Sequence, residues 1–306
     1  MLPVKYFHVV FTVPDKLNKL FLNNQKEMYN LLFSVAWDVM KDFGNTKKWI
    51  GGKIGTTAIL HTSGQKLNYH PHLHLIVPAG ALKKNNKWKH SRKRGKYLFK
   101  VDQLSNVFRA RFVEQVRKLL NEKSINGIEP NGLFEKEWVV YAKQSFCGPK
   151  QVINYLSRYT HRTAISNNRI LNVDDKNVTF SWKDYKNDNA KQIKTISGEK
   201  FITLFCNHIL PHGFTRIRHY GFLSSASKAK SLAIIRSDLN VNHLHEGTTK
   251  KTWQEIVFER MGIMPGICKC GGKMEVVQTF KDKFKNKSKA PPKNICSNTN
   301  FYKSVI

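Results

Sequence analysis

The 306-residue sequence predicts an α+β fold on three observations. Short runs rich in β-branched and aromatic residues recur at 6–13, 56–62 and 72–77. Two longer stretches, 23–43 and 102–123, carry apolar residues at helical spacing. Only a polar loop separates strands 56–62 and 72–77, so the two can pair as neighbours.

The elements follow in order. Tyr6 to Val13 forms a first, central strand ended by Pro14-Asp15. Met28, Leu31, Leu32, Val35, Ala36 and Val39 mark the first long helix, and Gly51-Gly52 punctuates the chain beyond it. Thr56–Thr62 and His72–Val77 are strands flanking the loop Ser63–Tyr69. The Lys/Asn/Trp-rich stretch Lys83–Lys96 has too little apolar content to pack and reads as an exposed basic hairpin. Leu104, Val107, Phe108, Phe112, Val116, Leu119 and Leu120 give the second long helix. Trp138 to Ala142 is a further strand. Gly148-Pro149 opens a helix, since glycine serves as an N-cap and proline suits the first helical position. Ile170–Trp182 alternates as a strand or hairpin, Glu199–His208 is a short helix, and Ser224–Leu239 a last one. The apolar period fades from about 240, and the lysine-rich tail after Phe280 lacks the content for fixed structure.

Lys plus Arg number 52 against 21 Asp plus Glu, a formal net charge of +31. Such an excess speaks about partners and calls for a polyanion. No apolar run approaches the roughly 18–20 residues of a spanning helix, and no basic amphipathic helix stands apart from the core pattern, so nucleic acid is favoured over a membrane. The N-terminal apolar run is short and interrupted by His8, unlike a signal peptide. Five cysteines do not suggest a disulfide framework, and the expected compartment is a reducing cytoplasm.

Two constellations carry chemistry. His72 and His74 flank a leucine in a strand, so both imidazoles share a face, about 7 Å apart along the backbone. His70 has the same parity but lies near the loop, beyond Pro71. Pairing across the loop brings His61 beside His72 and His74, making a three-imidazole face for a divalent metal with positions open to a phosphate oxygen. The competing reading is that these are surface or satisfied core histidines. His243-Leu-His245 repeats the spacing in a polar segment without strand period, and reads as exposed loop or as zinc ligands with downstream cysteines.

In the second constellation, Tyr155 and Tyr159 lie one helical turn apart, with Arg158 and Arg162 on the same side. Arginine neighbours favour the phenolate of a group whose ordinary pKa is about 10, which makes attack on a phosphate feasible. The bland alternative is a pair of half-buried tyrosines on an amphipathic helix. Lys143, Lys150 and Arg162 around this site, and the cluster Arg216, Arg218, His219 and Tyr220, are candidates to hold phosphates and stack bases.

His61-Thr-Ser-Gly-Gln65, His70-Pro-His-Leu-His74, Tyr155-Leu-Ser-Arg-Tyr-Thr-His-Arg162, Phe180-Ser-Trp-Lys-Asp-Tyr185, Leu210-Pro-His-Gly-Phe214 and Arg218-His-Tyr-Gly221 occur in this order. With Phe7-His-Val-Val-Phe-Thr ahead of them, the chain resembles the two-tyrosine HUH transposases of rolling-circle insertion sequences, the IS ninety-one group. The resemblance implies a palm-like antiparallel sheet with helices packed on it and a basic C-terminal extension. It implies His72 and His74 as paired ligands of Mg or Mn, and Tyr155 and Tyr159 as nucleophiles. The third ligand stays open between His61 and Gln65. The implied reaction nicks single-stranded DNA at a transposon end, forms a 5′-phosphotyrosine and passes the strand to a free 3′-hydroxyl. Implied segments are a nuclease core at 1–165, a basic DNA-contacting extension at 166–240 and a polar, partly disordered tail at 241–306. A cytoplasmic, nucleoid-associated bacterial protein is expected.

Two features depart from the family pattern. Members carry an N-terminal cysteine-rich zinc module before the first strand, where this sequence begins, and Ser63 replaces a tryptophan common after the His-Thr pair. Cys268, Cys270 and Cys296 could be a degraded zinc ribbon holding structural zinc, or exposed thiols; Cys147 and Cys206 read as small core residues. Two rival functions remain: a non-catalytic single-strand binder descended from a transposase, and a replication initiator or relaxase of the same chemistry. The sequence leaves oligomeric state open.

Overall fold

Segments of period two and of period 3.6 alternate along the chain, and the elements follow them. The computed structural model describes residues 1–123, 130–135, 138–146, 151–152, 164–184, 187–241, 252–268 and 270–275. In chain order they are β1 (Tyr6–Thr12), α1 (Asn18–Asn23), α2 (Gln25–Asn45), β2 (Gly55–Ser63), β3 (Tyr69–Pro78), β4 (Gly80–Leu82) and β5 (Trp88–His90). There follow α3 (Arg92–Gly95), α4 (Val101–Lys123), β6 (Val140–Phe146), β7 (Ile170–Val173), β8 (Asn177–Asp184) and β9 (Ala190–Ser197). Last come α5 (Gly198–Cys206), β10 (Ile217–Gly221), α6 (Lys228–Asp238) and α7 (Trp253–Met261). Met1–Asn242 forms one compact unit and His243–Ile306 a second.

An antiparallel sheet in the order β10-β2-β3-β1-β6 organises the first unit. Alternation gives it two unlike faces. Phe7, Val9 and Phe11 of β1 and Leu73, Leu75 and Val77 of β3 are buried together against Leu32, Phe33 and Val39 of α2 and Phe108, Phe112 and Val116 of α4. The intervening residues, among them His8, Val10, His72 and His74, are only half-buried and share the opposite face. The mixed helical and antiparallel architecture expected from sequence is the one observed, with helices packed on one face of the sheet.

A second antiparallel sheet, β7-β8-β9, packs against α5. Its small core of Phe180, Ile165 and Ile196 includes Leu67 from the β2–β3 turn, which joins the two sheets. Two expectations are corrected here, those for the basic stretch after Lys83 and for Cys206. The basic stretch after Lys83 does form a hairpin, β4–β5, but Trp88 is buried with Phe222 and Ile76, so it is anchored rather than free-standing. The cationic-aromatic segment before Gly221 is β10, an edge strand of the main sheet. Cys206 is exposed, because the packed stripe of α5 is Phe201, Leu204 and Phe205 and position 206 falls off it. Cys147 lies outside the described residues.

Gly221 ends β10 at φ +64°, in the left-handed region, and a Cβ there would collide with the Ile54 carbonyl oxygen and the Trp37 ring. Gly221→Ala is therefore expected to cost about 3 kcal/mol or more, read as a lowered thermal midpoint in a calorimetric melt. A midpoint within a degree of wild type would show that β10 is not held as described.

Candidate metal centre and the cleft it opens on

β2 and β3 bring the predicted ligands together through register. His61 pairs directly with His72, and Ile59 with His74, so both strands aim imidazoles at one place. One ligand atom from each of His61, His72 and His74 lies within 4.8 Å of the others. The ring centroids of His61 and His74 are 4.2 Å apart and those of His72 and His74 4.8 Å. His70 stacks toward His72 at 5.1 Å. Gln65, the alternative third ligand, faces the same cleft, but its side-chain oxygen accepts a bond from the Lys183 backbone N–H at 3.3 Å.

Neighbours fix how these rings present their nitrogens. The His70 carbonyl, 2.7 Å from His72 Nδ1, can only accept, so Nδ1 carries the proton and Nε2 keeps its lone pair. His8 of β1 contributes a fourth ring: its Nε2 is 2.7 Å from His74 Nδ1, and the two rings stack at 4.9 Å with 5° between planes. In the sequence His8 stands as an interruption of an apolar run. The usable signal was parity, since His8 belongs to the half of β1 that faces away from the helices.

Burial disfavours charge on this cluster. It lowers His8 and His72 to about 4, although the His70 carbonyl pulls His72 the other way. His74 lies lower still, through burial first and then the nearby His61, His72 and His8 rings. Imidazoles that stay neutral at pH 7 are the form in which histidine binds a metal. The donor chemistry fits a divalent ion, and the cluster could hold one.

The sign of the linkage follows. Unfolded histidine titrates near 6.5, so below that pH the unfolded chain takes up protons that the folded chain refuses. Stability present above pH 6.5 is lost as pH falls toward 4. For metal-free protein in chelator the loss between pH 6.5 and 5 is on the order of 2 kcal/mol per histidine for His8 and His72. Urea titrations at the two pH values measure it; a pH-independent midpoint would mean that these rings are not buried neutral.

A cleft of about 1240 Å³ is lined by the histidines together with the β2–β3 turn, β8 and the segment after α5. Arg216 lines it, with its Nε donating to the Leu60 carbonyl at 3.0 Å. Arg218 and Tyr220, grouped with Arg216 from sequence, are not brought there. Arg218 reaches Asn30 Oδ1 at 2.6 Å and lies over the Phe33 ring, and Tyr220 stacks on Trp37 at 5.1 Å, both on the helical side of the sheet. Strand alternation separates them from His219, which bonds Thr57 on the histidine face.

Tyr155, Tyr159, Arg158, Arg162 and Lys150 lie outside the described residues, as do Cys296, His243 and His245. Just ahead of the tyrosines, Val152 is fully buried in a cluster with Tyr6 and Ile76, which share the face of His8 and His74. In the second unit, Cys268 and Cys270 sit on a tight turn closed by Cys268 N–H to the Gly272 carbonyl at 2.7 Å. Among the described residues no three-ligand group includes them. No helix of the described residues is long and apolar enough to cross a membrane.

Comparison with known proteins agrees with the family resemblance. A transposase from Sinorhizobium fredii (strain NBRC 101917 / NGR234), named "Putative transposase y4qJ", is 38% identical over 256 residues, covering 79% of this chain and 64% of its own length. The transposase for insertion sequence element IS801 of Pseudomonas savastanoi pv. phaseolicola is 28% identical over 236 residues, covering 71% of this chain and 54% of its own length. The chain thus spans less than two thirds of either relative. Among solved structures, the conjugative relaxase TrwC in complex with OriT DNA aligns at a TM-score of 0.31 and 9% identity, over 77% of this chain and 73% of that one, too distant to bear on chemistry. A sequence family described as "Putative transposase" (Y2_Tnp) matches residues 55–231, from the start of β2 into α6. With β2, β3, residues 155–162 and β10 inside that match, the chain belongs to the Y2_Tnp transposase family.

Proposed function

We propose that the chain is an HUH-type endonuclease and strand transferase, cutting single-stranded DNA at a transposon end through a 5′-phosphotyrosine. The observation that carries this is the convergence of His61, His72 and His74 at one end of an open, cation-lined cleft. Val152, buried on the same sheet face three residues before Tyr155, supports a tyrosine segment that starts beside the centre. Family membership supports the reaction class.

His61, His72 and His74 would hold a divalent ion, Mg or Mn when phosphate and water complete the ligand set, and the ion would supply positive charge at a phosphate. The chain's own residues do the rest. The His70 carbonyl and His8 fix the ring orientations before substrate arrives. The phenol of Tyr155 or Tyr159 gives up its proton and forms a bond to phosphorus. The bond from phosphorus to the 3′-oxygen breaks, and that oxygen leaves as a hydroxyl after taking a proton. Attack by another strand's 3′-hydroxyl reverses the exchange, so the ester keeps the energy for rejoining.

The test is incubation of the protein with Mn²⁺ and labelled single-stranded oligonucleotides tiling the DNA around its gene, followed by a denaturing gel. A protein–DNA band that survives denaturation is expected. Tight, salt-sensitive binding without any covalent band would overturn the enzymatic reading in favour of a binding-only descendant.

A further inference from the structure

Two stretches of the family motifs, the residues after His61 and those at the end of β8, have no role in the chemistry above, and the fold brings them together. The turn after His61 and the end of β8 meet in the lining of the cleft that the histidines also line. Arg169 clamps them, its Nε donating to the Ser181 carbonyl at 2.8 Å and its guanidinium also bonding the Gln65 carbonyl. The Lys183 backbone N–H to Gln65 Oε1 adds a second tie, so this wall is set before any ligand arrives.

What the wall presents is unlike ordinary surface. Among the described residues, five cationic residues and one acidic residue line the cleft. Lys183 of β8 stands directly opposite Lys191 of β9, and like charges in register across strands destabilise a sheet. An anion between them would relieve that repulsion. Trp182, the residue before Lys183 on β8, also lines the cleft, with the Lys66 ammonium 3.9 Å from its ring centroid. An aromatic ring among cations at a cleft wall is how single-strand binders hold bases by stacking and phosphates by charge. The pairing is tolerant of sequence, since every base offers a π-face.

We propose that this wall is the track for single-stranded DNA: Trp182 stacks a base, and Lys66, Lys183 and Lys191 hold phosphates of the strand that runs to the histidines. The inference rests on the cleft being the DNA site. It replaces Arg218 and Tyr220, which face the helices, with residues that face the cleft.

The test uses the full chain and a fluorescein-labelled oligothymidylate, followed by anisotropy across a salt series. Trp182→Ala should weaken binding about 10-fold, and Trp182→Phe, which keeps a stacking ring, should stay within about 3-fold of wild type. The Lys183→Ala/Lys191→Ala pair should lower the slope of log affinity against log salt by about 1.4, as expected for two lost phosphate contacts on a single strand. Lys26→Ala/Lys41→Ala, on the exposed face of α2, should leave that slope unchanged. As a measure free of mutation, irradiating wild type with a 5-iododeoxyuridine oligonucleotide should give a cross-linked peptide containing Trp182. Wild-type binding with Trp182→Ala at wild-type affinity, or cross-links confined to other peptides, overturns the track while leaving the enzymatic reading intact. Absence of any single-strand binding by wild type overturns both.

Discussion

His72→Ala should abolish metal binding in the micromolar range and lower Mn²⁺-dependent DNA cleavage by at least about 100-fold, since loss of even an outer-shell partner costs 10–100-fold. His72 is the ring whose orientation is best determined, with its Nδ1 proton committed to the His70 carbonyl. Its removal leaves two imidazoles, too few to hold a divalent ion against water. The substitution should spare the fold, because the ring is half-buried on the face away from the helices and the alternating core of Leu73 and Leu75 is untouched. Isothermal titration with Mn²⁺, the cleavage assay and a chelated thermal melt separate the effects. Full cleavage by a stably folded His72→Ala protein would remove the histidine centre from the reaction.

The same measurements resolve the third ligand. His61→Ala should behave like His72→Ala, since all three ligand atoms lie within 4.8 Å of one another. Gln65→Ala should alter metal affinity little, because its oxygen is occupied by the Lys183 amide. The reverse outcome would mean that the β2–β3 turn rearranges to bring Gln65 to the metal.

Period was the part of the fold that could be read in advance. The long helices predicted at 23–43 and 102–123 appear at Gln25–Asn45 and Val101–Lys123, because each buries one continuous stripe. His61 beside His72 was likewise legible, since a short polar loop leaves neighbouring strands little choice but to pair. Features that depend on distant partners were not. β10 is a strand because it finds the free edge of β2, and its Ile-Arg-His-Tyr-Gly run, preceded by Arg216, advertises charge before period. Trp88 packs through Phe222, 134 residues away, which no local window contains. α7 begins with a capping box, Thr252 with Glu255, short enough to be lost in a polar tail. His8 was visible but uninterpreted, because its meaning comes from His74 on another strand.

The largest single effect is expected at the tyrosines. The Tyr155→Phe/Tyr159→Phe double variant should form no covalent adduct at all, since no phenol remains to attack phosphorus, while DNA binding persists. Phenylalanine keeps the ring and its apolar area and removes only the hydroxyl, so loss of adduct cannot be ascribed to lost packing. The single variants carry the more searching information. If the two phenols act in turn, each single variant should still give a denaturation-resistant band with a nicked strand, because one nucleophile suffices for the first cleavage. Strand transfer between two ends should nonetheless fall, because it needs a second phenol while the first is occupied. Assigning the adduct peptide by mass spectrometry in each variant distinguishes alternation from a fixed order, in which one single variant would already be inactive. A covalent band in the double variant would move the nucleophile elsewhere in the chain. Val152, three residues before Tyr155 in sequence, is buried with Tyr6 and Ile76, and removing a hydroxyl downstream leaves that packing untouched.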